Sequence, residues 1–222
     1  MKISTTKFLI ILIVISYIIQ QYLILDFGKE SIYKDFALWT PAIKNGEVWR
    51  CISCLFMHEN LIHLFFNISA LNILGEEVEK INGKVYLICV YFFSAITSGI
   101  ASSILTNGLS IGASGAIFGL LGSLLALSLN LRNYSYDIKE KVNSLITVIA
   151  INIIISYLLP NIDIYAHIGG LIGGFIFQIC LIPKIIYTNN SYILRKNNSI
   201  KTLIITIISL ASLSIFNKYF FN

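Results

Sequence analysis

Charged residues are scarce in this chain. Of its 222 residues only 12% are charged, whereas 56% are hydrophobic, and the mean hydropathy is +0.80. A soluble domain of this size carries roughly twice that share of charge, so an ordinary soluble globular protein is excluded. Several apolar runs reach about 18 residues, enough to cross a hydrocarbon core about 30 Å thick. The sequence therefore predicts an all-α polytopic membrane protein, with residues 1–222 in a single membrane domain.

Cysteine and histidine are also few, with 4 and 3 residues respectively. Cys89 and Cys180 lie inside predicted spans, where we expect them to fill apolar space. Cys51 and Cys54 form one C-x-x-C pair with no second pair to complete a zinc site, which leaves their role open. We do not expect a metal site at this pair.

The basic residues lie in short clusters between the apolar runs. The net charge of +5 and the pI near 9.0 are compatible with nucleic-acid binding, but membrane topology explains the clusters better, so no nucleic-acid partner is expected. Seven spans can be drawn, at about 8–25, 61–75, 85–105, 114–130, 142–159, 165–187 and 200–217. With a cytoplasmic N-terminus, eleven of the 16 Lys and Arg residues lie in cytoplasmic segments, as the positive-inside rule requires. The C-terminus is then predicted outside.

Two segments outside the central spans need separate interpretation. The first apolar run is too long for a signal-peptide h-region of about 7–15 residues, and no small-x-small cleavage site follows it. We expect it to be a retained helix. The connection 26–60 mixes charges with Trp39, Trp49 and other apolar residues, and Trp favours the membrane interface. This connection is predicted to be a structured segment at that depth.

Polar residues inside a membrane are costly, and they usually face the bundle interior or a water-filled cavity. Here they fall in three clusters, each at the start of a span that runs from outside to inside. The clusters are His58, His63 and Asn67 before and in span two, Gly112, Ser114 and Gly115 at span four, and His167, Gly170 and Gly174 in span six. All three clusters are therefore predicted at one shallow depth near the outer face.

Helical spacing predicts how these residues meet. Ser114 and Phe118 are four apart and share a helix face, while His167, Gly170 and Gly174 form one stripe. A glycine stripe lets another helix backbone approach closely, as small-xxx-small pairs do in membranes. If this stripe packs on span four, His167 comes within reach of the Ser114 hydroxyl, and Phe118 is placed to stack on the imidazole.

The residue types at this depth suit acyl transfer. A serine hydroxyl needs a base, and histidine is the commonest general base. The developing oxyanion needs hydrogen-bond donors, for which the side chains of His63 and Asn67 and the backbone N–H of Ser114 are candidates. No carboxylate stands out as a third member. Asp163 precedes His167 by four residues, and we expect it at the water surface, although a role beside His167 stays open.

Other interpretations compete with this one. Gly-x-Ser-Gly in a membrane helix is often a packing site, and a His–Asn pair is often only an interhelical hydrogen bond. His58 and His63 are five apart, about 140° around a regular helix, so they cannot form an H-E-x-x-H zinc site. A transporter would need an ionisable path across the bilayer, whereas these polar residues stop in the outer half.

Taken together, the motifs resemble the rhomboid intramembrane serine proteases. The resemblance covers about residues 45–180. It rests on Gly-Glu-Val-Trp-Arg at 46–50, His58, His63-x-x-x-Asn67, Gly112-Ala-Ser114-Gly-Ala-Ile-Phe118-Gly and Ala166-His167-x-x-Gly170-x-x-x-Gly174. It implies a rhomboid-like six-helix bundle with residues 45–180 as the catalytic core, plus an extra C-terminal helix at 200–217.

The resemblance also implies roles for individual residues. Ser114 is implied as the nucleophile and His167 as the general base, with His63 and Asn67 as oxyanion-hole donors. Gly112 shapes the turn before the nucleophile. The implied function is cleavage of single-span membrane proteins near the outer edge of their transmembrane helix, in the cell membrane and near its extracytoplasmic face.

The resemblance implies neither a metal nor a cofactor, and two further expectations follow from it. Trp49 and Arg50 correspond to the structured first loop of the family. Some relatives have lost the serine or histidine and are inactive, whereas this chain keeps both. The alternative is a non-proteolytic rhomboid-like protein that binds membrane helices for folding or turnover. The substrate and the oligomeric state do not follow from the sequence.

Overall fold

The computed structural model describes residues 3–132, 136–181, 185–188 and 191–194, together with Thr202 and Thr206. These residues are mainly helical. The helices are α1 Thr5–Phe27, α2 Lys29–Phe36, α3 Thr40–Lys44, α4 Arg50–Ser53, α5 Leu61–Asn82, α6 Lys84–Leu105, α7 Ser114–Leu131, α8 Tyr136–Leu158 and α9 Ile164–Cys180, with a short 3-10 helix at Cys54–Phe56. Strands β1 Leu38–Trp39 and β2 Leu109–Ser110 pair antiparallel, as do β3 Ile185–Thr188 and β4 Ser191–Leu194.

Five of these helices, α1, α5, α6, α7 and α8, are long and apolar enough to cross a membrane, and α9 is a shorter apolar helix of 17 residues. The prediction of span six at 165–187 was wrong at its end. Helix α9 stops at Cys180, and residues 185–188 form a strand instead. Pro183 explains this, because proline cannot continue a helix and is common just beyond a C-cap. Of the predicted seventh span at 200–217, all but Thr202 and Thr206 lies outside the described residues.

Local chemistry sets several helix ends. The side chains of Ser4, Asn60 and Asp163 accept hydrogen bonds from backbone N–H groups in the first turns of α1, α5 and α9. These are the N-cap residue types that satisfy the unpaired donors of a helix start. Gly83 is the single residue between α5 and α6, and its φ of +94° is a conformation that favours glycine.

Helix α7 lies at the centre of the bundle, packed against α5, α6, α8 and α9. In the apolar window of α7, 78% of residues are buried, against 22% in α1 and 17% in α8. The outer helices instead expose large apolar side chains, among them Phe65 and Phe66 on α5 and Ile151 and Ile154 on α8. An exposed apolar exterior around a buried central helix is the arrangement expected when lipid surrounds the bundle.

The connection between α1 and α5 is a structured segment, as the sequence predicted. Arg50 is buried there, and its guanidinium donates to the backbone oxygens of Lys34 and Ala37 at 2.8 and 3.1 Å. It also forms an ion pair with Glu47 at 2.6 Å and lies 4.8 Å from the ring centroid of Trp49. The buried guanidinium of Arg50, paired with Glu47, therefore holds distant parts of this connection together.

The cysteines of this connection are packing residues. Cys51 and Cys54 are free thiols with 1% and 7% exposure, and the Cys51 sulfur lies against Gly99 of α6. Burial raises the pKa of Cys51 to about 12 and raises the pKa of Cys54 as well. A thiolate, the reactive form, is therefore disfavoured at both positions. Cys89 is buried, whereas Cys180, at the end of α9, is exposed rather than enclosed.

Candidate active site

Ser114 is the first residue of α7, and a glycine turn presents it. Gly112 has a φ of +111°, which L side chains rarely adopt, so this position favours glycine. Its N–H donates to the backbone oxygen of Cys54 at 2.9 Å, and β2 immediately before it pairs with β1. The first loop therefore holds the turn from which α7 begins.

His167 reaches Ser114 from α9. Its Nε2 lies 2.8 Å from the Ser114 Oγ, and the residue is only 8% exposed. The ring of Phe118, one turn below Ser114, stacks on it with centroids 4.2 Å apart and planes inclined by 13°. The imidazole is thus fixed both in its plane and at one ring nitrogen.

Glycines bring α9 close enough to α7 for this contact. A methyl group on Gly170 would overlap the carbonyl oxygen of Gly115, and one on Gly174 would overlap that of Gly119. The two backbones therefore touch directly just below the serine–histidine pair. This is the approach that the stripe of Gly170 and Gly174 predicts.

A second glycine face was not found from the sequence. Gly169 and Gly173 point at α6, where an added methyl would overlap Ala101 and the Thr97 side chain. Helix α9 is therefore packed tightly on two sides. The doubled Gly-Gly pairs in "HIGGLIGG" are the signal for it, since each pair supplies one residue to each face.

His63 and Asn67 lie beside the same turn. A methyl on Gly112 would be 2.7 Å from both Cε1 and Nε2 of the His63 ring and 3.9 Å from the Asn67 Nδ2. The Asn67 amide donates one of its two N–H groups to the backbone oxygen of His63 at 2.9 Å. Both side chains therefore border the turn that presents Ser114.

His58 supports this group from behind. It is fully buried, and its backbone N–H and carbonyl both bond to the side chain of Gln20 on α1, at 2.9 and 2.7 Å. Its ring meets that of His63 edge to face, with centroids 5.1 Å apart. Burial, and to a smaller degree His63, lowers the pKa of His58 to about 3. His58 is accordingly a neutral packing residue.

The other nitrogen of His167 has a partner that sequence reasoning missed. Nδ1 lies 2.8 Å from the Oγ of Ser156, a buried residue near the end of α8. Asp163 is used differently: its carboxylate caps α9 and accepts hydrogen bonds from Ser102 and Ser110, both at 2.5 Å. The spacing of residues along one helix does not indicate Ser156, because Ser156 is on α8 and His167 is on α9.

Trp49 and Arg50 lie in the first loop, just before Cys54, whose backbone oxygen accepts from the Gly112 N–H. Among the described residues, no three His, Cys, Asp or Glu side chains are grouped to hold a metal ion.

The fold and the site define a helical membrane protein in which a half-buried serine and a buried histidine share a hydrogen bond. Comparison with known proteins identifies its family. The family model described as the Rhomboid domain matches residues 45–184. The chain belongs to the rhomboid family, which confirms the resemblance drawn from its motifs.

Curated relatives agree with this assignment. The chain is 39% identical to rhomboid protease GluP of Bacillus subtilis over 143 residues, which are 64% of this chain and 28% of GluP. It is 34% identical to RHOMBOID-like protein 4 of Arabidopsis thaliana over 144 residues, covering 64% of this chain and 36% of that protein. It is 32% identical to RHOMBOID-like protein 5 of the same plant over 182 residues, covering 79% and 58%. The chain thus spans between about a quarter and three fifths of these relatives.

Proposed function

We propose that this protein is an intramembrane serine endopeptidase that cleaves single-span membrane proteins near the outer edge of their transmembrane helix. Ser114 acts as nucleophile and His167 as general base. The observation that carries the proposal is the 2.8 Å contact between the Ser114 Oγ and the His167 Nε2. Membership of the rhomboid family supports it, as does the similarity to GluP, a relative that is named a protease.

The reaction follows from this contact. The Ser114 oxygen attacks the carbonyl carbon of the scissile peptide bond while its proton moves to the His167 Nε2. The tetrahedral intermediate collapses when the C–N bond breaks and His167 returns that proton to the leaving amine. Water then attacks the carbonyl carbon of the acyl ester and loses a proton to His167. The ester C–O bond breaks, His167 returns this proton to the Ser114 oxygen, and the second fragment leaves with a carboxyl group. Ser114 and His167 end in their starting states.

Donors for the oxyanion lie on the same side of the site. The side chains of His63 and Asn67 border the Gly112 turn, and the backbone N–H of Ser114 starts α7. The first N–H groups of a helix have no intrahelical acceptor, and the helix dipole favours a negative charge there. In comparable sites one such donor changes the rate by about 10²–10³-fold.

The proposed membrane arrangement accounts for the supply of water. In it the N-terminus is cytoplasmic, α1 and α5 to α9 form a six-helix bundle with residues 45–180 as its catalytic core, and 200–217 adds a seventh helix. The polar starts of α5, α7 and α9 then lie near the extracytoplasmic face of the cell membrane. Substrates are transmembrane helices that arrive from the surrounding bilayer, and neither a cofactor nor nucleic acid takes part.

Reconstituted proteolysis tests this function. The full chain is placed in liposomes with a single-span substrate, and the fragments are followed by mass spectrometry. Parent protein is expected to cut near the outer end of the substrate helix, and Ser114→Ala or His167→Ala to reduce cleavage to background. Ser144→Ala, which changes an exposed serine on α8, is the matched control and should cleave like the parent. Cleavage by a folded Ser114→Ala variant would overturn the proposal.

A further inference from the structure

The hydrogen bond between Ser156 and His167 has a definite direction. The Ser156 hydroxyl lies 2.7 Å from the backbone oxygen of Asn152, and a carbonyl can only accept. A hydroxyl has a single proton, so the Ser156 Oγ is left as an acceptor towards the His167 Nδ1, 2.8 Å away. Nδ1 must therefore carry the N–H.

This direction determines the state of the other ring nitrogen. In a neutral imidazole one nitrogen carries the proton and the other has a lone pair. With Nδ1 protonated, the lone pair belongs to Nε2, which faces the Ser114 Oγ. That is the tautomer able to accept the serine proton, and the hydrogen bond between Nδ1 and the Ser156 Oγ is what selects it. The same acceptor also serves the imidazolium formed during the reaction, in which Nδ1 is protonated too.

The location of Ser156 adds a second consequence. Helix α8 is the least enclosed of the long helices, and its buried residues are Val142, Leu145 and Ser156. Leu145 and Ser156 are eleven positions apart, about 16 Å along the helix axis. Ser156 is thus the buried residue of the C-terminal half of α8, and its polar contact in the core is the catalytic histidine. The position of α8 is coupled to the tautomer of His167 through this bond.

We infer that Ser156 is a positioning residue of the protease site, holding His167 in the Nδ1-protonated form and making that form depend on the docking of α8. The catalytic effect of Ser156 rests on the proposed function, whereas its effect on the tautomer of His167 does not. Ser156 takes the place that a carboxylate holds in triads, as a neutral acceptor on a third helix.

Kinetic measurements test the catalytic consequence. Ser156→Ala removes the acceptor and leaves a buried N–H unpaired, so kcat is expected to fall by about 10- to 100-fold with KM little changed. Ser156→Thr retains a hydroxyl and should recover most of the loss. Ser144→Ala removes a hydroxyl bonded in the same i−4 manner at the exposed part of α8, and should leave kcat unchanged. Equal kcat for Ser156→Ala and parent would overturn the inference.

Nitrogen NMR tests the tautomer without relying on proteolysis. The chain has 3 histidines, so ¹⁵N-histidine labelling gives a small set of signals, and loss of one set in His167→Gln assigns His167. The parent is expected to show Nδ1–H and unprotonated Nε2, and Ser156→Ala to show a mixture of tautomers. An unchanged tautomer in Ser156→Ala overturns the inference. If the parent cuts no substrate, the proposed function fails, and this spectrum still decides whether Ser156 selects the tautomer.

Discussion

Gly170 offers a test of the packing that brings the serine and the histidine together, because an alanine there adds one methyl group between α9 and α7. The new Cβ would lie 2.8 Å from the carbonyl carbon of Gly115 and closer still to its oxygen. Carbon atoms in contact are normally about 3.5–4.0 Å apart. Backbone cannot rotate away as a side chain does, so α9 must withdraw by about 1 Å.

The expected effect has two parts. Overpacking of this kind costs about 1–3 kcal/mol of unfolding free energy. A displacement of about 1 Å between catalytic groups costs on the order of 10²-fold in rate. Because His167 is less than one helical turn from Gly170, the Ser114–His167 contact is expected to lengthen, and kcat/KM should fall by about that factor.

Two glycines provide controls for Gly170→Ala. Gly75→Ala places its methyl 2.8 Å from the Thr6 Cγ2, at the contact of α5 with α1, about two helical turns beyond Asn67. It should lower stability while the folded fraction keeps the parent kcat. Gly108→Ala has its nearest neighbour at 3.8 Å, an ordinary contact, and should be neutral in both respects. Proteolysis in liposomes gives kcat/KM, and unfolding in mixed micelles gives stability. Parent-like kcat/KM and stability in Gly170→Ala would refute the packing argument.

Three other features can be tested by substitution. Phe118→Leu removes the ring stacked on His167, and kcat should fall about 2- to 12-fold at unchanged KM, since aromatic pairs contribute about 0.5–1.5 kcal/mol. Glu79→Ala removes the carboxylate that accepts three hydrogen bonds from the start of α1, and should cost about 1–3 kcal/mol of unfolding free energy, whereas Glu76→Ala breaks only an exposed ion pair and should cost less than about 1 kcal/mol. His58→Leu should make stability less sensitive to acid. Burial lowers the pKa of His58 to about 3 in the folded protein, so below about pH 6.5 the unfolded state binds a proton that the folded state does not. Between pH 7.5 and 5.5 the free energy of unfolding of the parent should therefore fall by about 1.4 kcal/mol more than that of the variant.

Each of these has a contradicting result. Unchanged kcat in Phe118→Leu would mean that the stacked ring does not hold the imidazole. Equal losses in the two glutamate variants would mean that capping of α1 adds nothing beyond surface charge. Parallel pH dependences of unfolding for parent and His58→Leu would mean that His58 does not stay neutral in the folded protein.

Much of the fold and of the candidate site can be predicted from local periodicity in the sequence. Apolar runs give the positions of α1 and α5 to α9, and spacing of four or three places Phe118 below Ser114 and aligns Gly170 with His167. Such faces are set by the helix itself, so they can be read along the chain. The oxyanion-hole roles of His63 and Asn67 stay predictions, drawn from their residue types and from the family resemblance.

Contacts between elements distant in sequence could not be predicted, because no local pattern in the sequence specifies them. The bond from Ser156 to His167 depends on how α8 docks, and the capping of α1 by Glu79 joins residues more than 70 positions apart. The end of α9 is missed for another reason. The run after Cys180 stays apolar, but Pro183 and the β-branched residues behind it favour a strand over a continued helix.

The central claim, that Ser114 is a nucleophile activated by His167, is tested most directly by covalent labelling. The full chain is treated in detergent micelles with a fluorophosphonate, and intact-mass and fragment spectra locate the adduct. The account predicts one adduct on Ser114 in the parent, none in Ser114→Ala, and a rate reduced at least about 10²-fold in His167→Ala. A folded parent that forms no adduct, or forms it equally fast without His167, would contradict it.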